Sequence, residues 1–322
     1  MVPLAFSITN DTHMPLPTIR HTYMPHSAYD SHMTANESAP GWDLHCHTVY
    51  SDGTETPEAL ILEAKRRGLH GVGISDHDTW AGWDEAVAAS RKHGVPLVRG
   101  TEITADMDGI CVHMLGFLYS PDDEVLRDLF ETTRTNRIRR MKKMVENLSA
   151  DFPITWDDVV NQVKEGEQTT IGRPHIADAM VAMGFFANRS EAFAKTINKN
   201  GPYYVPIVSP SAKSVVEAVK HAGGVSVIAH PAATSRNKRI LSDQNIADLA
   251  AVGLDGLEVF HRDNSPEQQQ RLLGLASDLH LLTTGGSDWH GASGKPNIVG
   301  ENVTSDDVVA QIVERGAIGL ID

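Results

Sequence analysis

Trp42-Asp43-Leu44-His45-Cys46-His47 sets two imidazoles two positions apart at the end of a short apolar run, and Gly286-Ser287-Asp288-Trp289-His290 repeats the arrangement far downstream. In extended backbone alternate side chains share a face. His45 and His47 can therefore reach one cation together, as can Asp288 and His290, while Cys46 turns the other way into the packing. Between these pairs lie Ser51-Asp52-Gly53, Ser75-Asp76-His77-Asp78, Gly100-Thr101-Glu102, Val112-His113 and Ala229-His230-Pro231. A single His-x-His pair is weak evidence for a metal. Repeated at one strand end after another it becomes strong, because the strand C-termini of a parallel barrel converge on one mouth. The expected metal ligands are His45, His47, Asp52, His77, Glu102, His113, His230, Asp288 and His290. One zinc takes about four ligands, so this set suits two or three divalent ions. Imidazole with carboxylate, without thiolate, suits Mn, Zn or Fe.

A strand–helix rhythm carries these clusters. Strands are expected over 42–47, 72–75, 97–104, 110–118, 225–229, 256–260 and 281–285. Helices are expected over 57–67, with Thr56 as N-cap and Pro57 at the first position, and over 83–93, 211–222, 243–252, 266–279 and 305–315. Such alternation implies an α/β fold with a mainly parallel sheet, and seven strands approach a barrel in number. Between about 122 and 206 helical patterns dominate: 123–148, 156–164, 174–183 and 190–199. The expected organisation is a barrel built from 41–121 and 207–322, with 122–206 as a helical insertion capping the substrate. The insertion holds the most basic stretch, Arg134-Thr135-Asn136-Arg137-Ile138-Arg139-Arg140-Met141-Lys142-Lys143, read first as a solvated helix face and second as a phosphate contact. Residues 1 to 40, rich in proline and histidine without periodicity, read as a mobile N-terminal extension or as an overlong start with Met33 the better beginning, and second as a segment for packing or oligomerisation.

Composition narrows the function classes. The 322 residues carry a net charge of −14, which argues against a long, sequence-independent grip on nucleic acid and against duplex DNA as a partner. It leaves room for a small anion, since bound metals reverse the local field. Two cysteines, Cys46 and Cys111, make no disulfide framework. No apolar run is long enough to span a bilayer and no signal peptide is visible, so a cytoplasmic enzyme is expected. No phosphate-cradling glycine loop or Ser/Cys nucleophile motif stands out. Attack by water activated on metal is thus the expected chemistry.

Together, His45-x-His47, Asp76-His77, Glu102, His113, His230 and Asp288-x-His290 resemble the PHP superfamily, the polymerase and histidinol phosphatase phosphoesterases, over residues 42 to 290. The resemblance implies a distorted seven-stranded β/α barrel with a trinuclear site. One ion would take His45, His47, Glu102 and Asp288; a second would share Glu102 and add His113 and His230; a third would take Asp52, His77 and His290. Gly172-Arg173-Pro174-His175, with Lys195 and Tyr204-Val205-Pro206, resembles the stand-alone branch that dephosphorylates nucleotides, including 3′,5′-bisphosphates, or trims RNA from 5′ ends. By that resemblance the protein is a phosphomonoesterase acting on nucleotides. The alternatives are a 5′-to-3′ exonuclease on short single-stranded RNA, a histidinol-phosphate phosphatase, or a non-catalytic ligand-binding module. Arg173 offers a planar fork for phosphate, or else an ion pair holding the insertion. Lys195, Tyr204 and Ser287 are further substrate contacts. His175 and His261 compete as substrate ligand and acid for the leaving oxygen, and Asp76, with Asp78, is a candidate to orient a ligating imidazole.

Overall fold

The computed structural model describes residues 40–322, and every structural statement below concerns those residues; the N-terminal extension lies outside them apart from Pro40. Local chemistry delimits the first elements. The Thr56 hydroxyl accepts from the Ala59 N–H and Pro57 opens α1 (Pro57–Arg66), where the missing donor costs nothing. Helix α2 (Trp83–His93) stops at Gly94, whose φ of 64° is a left-handed cap that a side chain would strain. Strands β1 (Trp42–Asp43) and β2 (Gly71–Ile74) pair in parallel, and β2 pairs in parallel with β3 (Leu97–Met107).

Two expectations need correction. The first strand covers two residues instead of six. Leu44 packs in one apolar cluster and Cys46 in another, while the His45 side chain also points toward the interior, so the period-two alternation slips after Leu44. The chain continues extended, with the Cys46 N–H donating to Ser75 Oγ and the His47 N–H to the Trp289 carbonyl. Second, β4 (Ile110–Phe117) runs antiparallel to both neighbours, β3 and β5 (Val225–Ala229). Asp108-Gly109, with φ values of 53° and 76°, makes the two-residue turn between β3 and β4. His113 therefore lies in the first half of β4, opposite Thr104 and Ala229. Reversal puts the start of β4 beside the ends of β3 and β5, so His113 still reaches the mouth.

The remaining strands, β6 (Gly256–Phe260) and β7 (Leu282–Gly285), continue in parallel from β5. The order follows the chain, β1 to β7, and bridges Trp42–Thr304 and Cys46–Trp289 bring the two edges together into a nearly closed barrel. Alternate residues separate two apolar clusters. Val72, Met114, Ile228 and Leu257 pack outward with residues of α1, α2, α7 (Ala212–His221), α8 (Asp243–Val252) and α9 (Pro266–Leu279). Leu44, Val98, Leu115, Val227 and Leu282 fill the interior with Ile312 of α10 (Asp306–Arg315).

A third cluster, including Met141, Met144, Leu148, Ile176, Met180 and Ile197, belongs wholly to the helical stretch. It involves α3 (Glu124–Leu148), α4 (Trp156–Val160), α5 (Arg173–Ala182) and α6 (Arg189–Ala192), which widens into a π turn over Phe193–Ile197. Helix α3 begins on the outer barrel cluster through Leu126 and Phe130 and ends in this third one. Midway, the Arg137 Nε donates to buried Asp78 at 2.6 Å, and Asp78 also accepts from the Thr104 N–H and hydroxyl. A buried pair so satisfied fixes where the helix crosses the barrel, because removing either partner strands a charge.

Candidate active site

The alternation that fills the barrel also builds the site. Glu102 shares a face with Val98, His113 with Leu115 and Phe117, and Glu258 with Gly256, so each rises one or two pleats above the interior cluster. His230 and Asp288 follow the ends of β5 and β7 with φ of 32° and 54°. Left-handed backbone at these two residues turns the chain sharply at the mouth, a local cost tolerated where the surroundings enforce it. Gly286 is required by close approach: a Cβ there would lie 2.4 Å from that of His45.

Three overlapping groups result. His45, His47, Glu102 and Asp288 present ligand atoms within 4.8 Å of one another; so do His47, Asp52, His77 and His290; so do His77, Glu102 and His113. Glu102 Oε2 is the hub, 3.2 Å from His45 Nε2, 3.0 Å from His47 Nε2 and 3.3 Å from His77 Nδ1. Seven buried atoms here have no hydrogen-bond partner: His45 Nε2, His47 Nε2, Asp52 Oδ1, His77 Nδ1, Glu102 Oε2, Asp288 Oδ1 and His290 Nε2. They are the ligand atoms of the first two groups. Buried polar atoms are ordinarily paired, so seven convergent orphans of the imidazole and carboxylate type fit divalent cations.

The electrostatics agree. Burial alone would raise Glu102, but His113, His45 and His77 outweigh it and hold its carboxyl well below the usual range. Asp52 behaves likewise: His290 and His77 overcome burial. At Asp288 the opposing charges are Lys295 and Arg236. Burial pushes His77 and His230 well below the ordinary imidazole value and His290 down to about 4, which favours the neutral form. At His45, His47 and His113 burial is overcome by neighbouring carboxylates, Glu102 among them, which raise the imidazole, a concentration of negative charge suited to a cation.

Several expected site residues stand elsewhere. Lys195 lies outside, 2.6 Å from Glu191, its side chain 62% exposed. The π turn closes with Asn198 N–H donating to the Phe193 carbonyl, and the chain leaves the helix there, so Lys199 lines the cavity instead. Ser287 is fully buried; its N–H donates to Asp43 and its carbonyl accepts from Asn297. Asp76 spends both carboxylate oxygens on the Thr48 N–H, the Thr48 hydroxyl and the Ser51 hydroxyl, thereby shaping the loop after His47 rather than facing a reacting group. His175 accepts the Gly172 N–H at the start of α5; His261, fully buried behind His230, accepts the Asp263 N–H at Nδ1, while its Nε2 has no partner. Neither lines the main cavity.

That cavity, about 880 Å³, opens over Asp52, His77, His113 and His230. One wall is helical, with Arg137, Arg140, Arg173 and Tyr204; the other comes from loops after the strands, with Arg236, Arg262 and Lys295. The basic stretch is thus split: Arg137 and Arg140 turn inward, while Lys143 pairs with exposed Glu146. Arg173 and Arg140 both stack on the Tyr204 ring, 5.6 and 5.1 Å from its centroid. A cationic cavity in a chain of charge −14 is a local device for an anion.

Sequence reasoning missed Glu258 and Arg236. Glu258 Oε1 accepts from His45 Nδ1 at 2.9 Å and Oε2 from the His230 N–H at 2.8 Å. Its signal was a lone acid within the apolar run Gly256–Phe260. Arg236 bonds Asp263, His230 and Asp288 at once.

A family model described as PHP domain matches residues 43–205. A crystal structure from Bifidobacterium adolescentis, of a protein assigned as a metal-dependent phosphoesterase, superposes with TM-score 0.85 at 58% identity, covering 87% of this chain and 98% of that one. A Haemophilus influenzae 5′-3′ exoribonuclease is 29% identical over 85% of this chain and 98% of its own length. A Chromobacterium violaceum 3′,5′-nucleoside bisphosphate phosphatase is 30% identical over 77% of this chain and 86% of its own. No helix among the described residues is long and apolar enough to cross a membrane.

Proposed function

Since this chain belongs to the PHP domain family and is a metal-dependent hydrolase of phosphate esters, we propose that it removes phosphate from nucleotides, monophosphates or 3′,5′-bisphosphates. The observation that carries this reading is the set of orphaned buried atoms, two of whose residues, Asp52 and His77, line a cationic cavity. His45, His47, Glu102 and Asp288 would hold one ion, and His47, Asp52, His77 and His290 another. Divalent ions there would supply Lewis acidity and a water acidic enough to lose its proton near neutral pH.

The chain's own groups do the rest. Asp52, Glu102 and Asp288 bring three negative charges against four from two divalent ions, leaving the floor net positive toward phosphate. Arg173 lines the cavity on the helical wall with its guanidinium 5.6 Å from the Tyr204 ring centroid, and its planar fork is suited to two phosphate oxygens. Arg173→Ala should raise KM about tenfold with metal content unchanged, since one charge-assisted pair is lost and nothing is removed from the floor. An unaltered KM on every nucleotide tested would leave Arg173 its structural contacts, the bond to the Ile197 carbonyl and the rings of Phe193 and Tyr204.

A second reading, 5′-to-3′ trimming of short RNA, is favoured by the cations on both walls and by the exoribonuclease relative. Phosphate and nucleotide release from nucleoside monophosphates, 3′,5′-bisphosphates, short RNA and histidinol phosphate, all with Mn²⁺, separates the two. A cavity bounded on both sides predicts higher kcat/KM for the mononucleotide forms, with closed circular DNA untouched. Preference for RNA would replace the phosphatase reading with the exonuclease one.

A further inference from the structure

Orphaned atoms define two cation positions, yet the ligand set implies a third, around Glu102 Oε1, His113 and His230. None of the buried side-chain atoms there lacks a neighbour within hydrogen-bond distance. Glu102 Oε1 lies 2.7 Å from His113 Nδ1 and 3.1 Å from His230 Nε2. His230 Nε2 in turn lies 3.0 Å from Arg236 Nη1. Arginine has no acceptor, so toward Arg236 the imidazole nitrogen offers its lone pair, the same lone pair a metal would use, and it then carries no proton to donate to Glu102 Oε1. The other terminal nitrogen, Nη2, donates to Asp288 Oδ2, which Lys295 Nζ also approaches at 2.8 Å. Asp288 thereby keeps only Oδ1 free, facing the first ion position.

Arg236 is placed for this by its loop. Its Nε donates to Asp263 at 2.8 Å, Asp263 is steadied by its N–H on His261 Nδ1, and neighbouring Asn237 holds the Cys111 carbonyl of β4. A guanidinium cannot lose its charge in this pH range, so it is a permanent monovalent cation standing among ligands suited to a divalent one.

We propose that Arg236 occupies the third cation position and sets the metal count of the site: two ions are held firmly, and a third enters only by displacing the guanidinium from His230 and Asp288. Two like-charged cations at contact distance repel strongly away from bulk water, so ion and guanidinium exclude each other. Asp263 would retain the displaced side chain through Nε, leaving its fork free at the cavity wall.

The inference rests on the reading that divalent ions bind at this floor, and one experiment separates the two. Purified full chain, stripped by chelator and dialysed against graded Mn²⁺, is assayed for bound metal by elemental analysis. Wild type should saturate at about two ions per chain, with a third at least about tenfold weaker than in Arg236→Met, where His230 Nε2 and Asp288 Oδ2 are released. Arg236→Lys, which keeps a charge but cannot span Asp263, His230 and Asp288 together, should lie between, and it decides the matter should the methionine variant fail to fold. Three ions of equal affinity in wild type, or third-ion binding unchanged in both variants, would overturn the role of Arg236 alone. A wild-type chain that takes up no Mn²⁺ would overturn the metal floor as well.

Discussion

Glu102→Gln is expected to release more than one equivalent of metal and to lower kcat/KM by about 10³-fold or more, the order set by losing several kcal/mol of Lewis-acid stabilisation. The reason is geometric. Glu102 Oε2 is the one oxygen within 3.3 Å of three imidazole nitrogens, on His45, His47 and His77, and these belong to both orphaned groups. The amide is isosteric but neutral, so the two ligand groups lose one of their three carboxylate charges. Its NH2, unlike a carboxylate oxygen, also turns donors toward nitrogens that must present lone pairs. Burial and fold should change little by comparison. Metal content by elemental analysis, read beside the melting temperature, checks this: a folded Glu102→Gln protein with full metal occupancy and full turnover would remove Glu102 from the centre of the site.

The residues that converge on the floor of the site were legible because their signal is local. His45-x-His47 and Asp288-x-His290 need only period-two geometry, and the convergence of distant strand ends follows from the barrel. Helices α2, α8 and α9 begin and end where apolar period and terminal residues put them, with Gly94 and Gly253 in left-handed caps. What escaped depends on the third dimension. The reversal of β4 was written in Asp108-Gly109, a hairpin signal easily read as a break between parallel strands. The exchange of Lys195 for Lys199 came from a π turn, which regular helical spacing does not anticipate. Arg236 sits in a loop without periodicity, and only the fold brings it 52 residues along the chain to Asp288. Ser287 and His175 show the opposite case: polar residues beside a site whose polar groups hold backbone.

Glu258 supplies the second large effect, through residues it positions. One carboxylate oxygen accepts from His45 Nδ1 and the other from the His230 backbone N–H, so one buried side chain fixes the tautomer of one imidazole and the placement of another. With Nδ1 donating, the neutral form of His45 has its lone pair on Nε2, on the side of Glu102 and Asp288 where a cation would sit. Both Glu258 oxygens are acceptors for donors, an arrangement an amide cannot reproduce: in Glu258→Gln the NH2 meets either the His45 N–H or the His230 N–H. The conflict cannot relax toward Gly286, where even an added Cβ would come within 2.7 Å of Glu258 Oε1. His45 can escape only by taking the other tautomer, which puts a proton on the ligating nitrogen. Loss of such an orienting partner ordinarily costs about 10- to 100-fold in metal affinity, and the unsatisfied donor costs about 1–3 kcal/mol of stability. Glu258→Gln should thus weaken Mn²⁺ binding by that factor and lower the melting temperature even in metal-free protein, whereas a change at a ligand such as Glu102 acts mainly on the loaded form. Mn²⁺ titration together with melting curves with and without metal would show the difference. Wild-type affinity in a folded Glu258→Gln protein would mean that His45 is oriented by its packing rather than by this carboxylate.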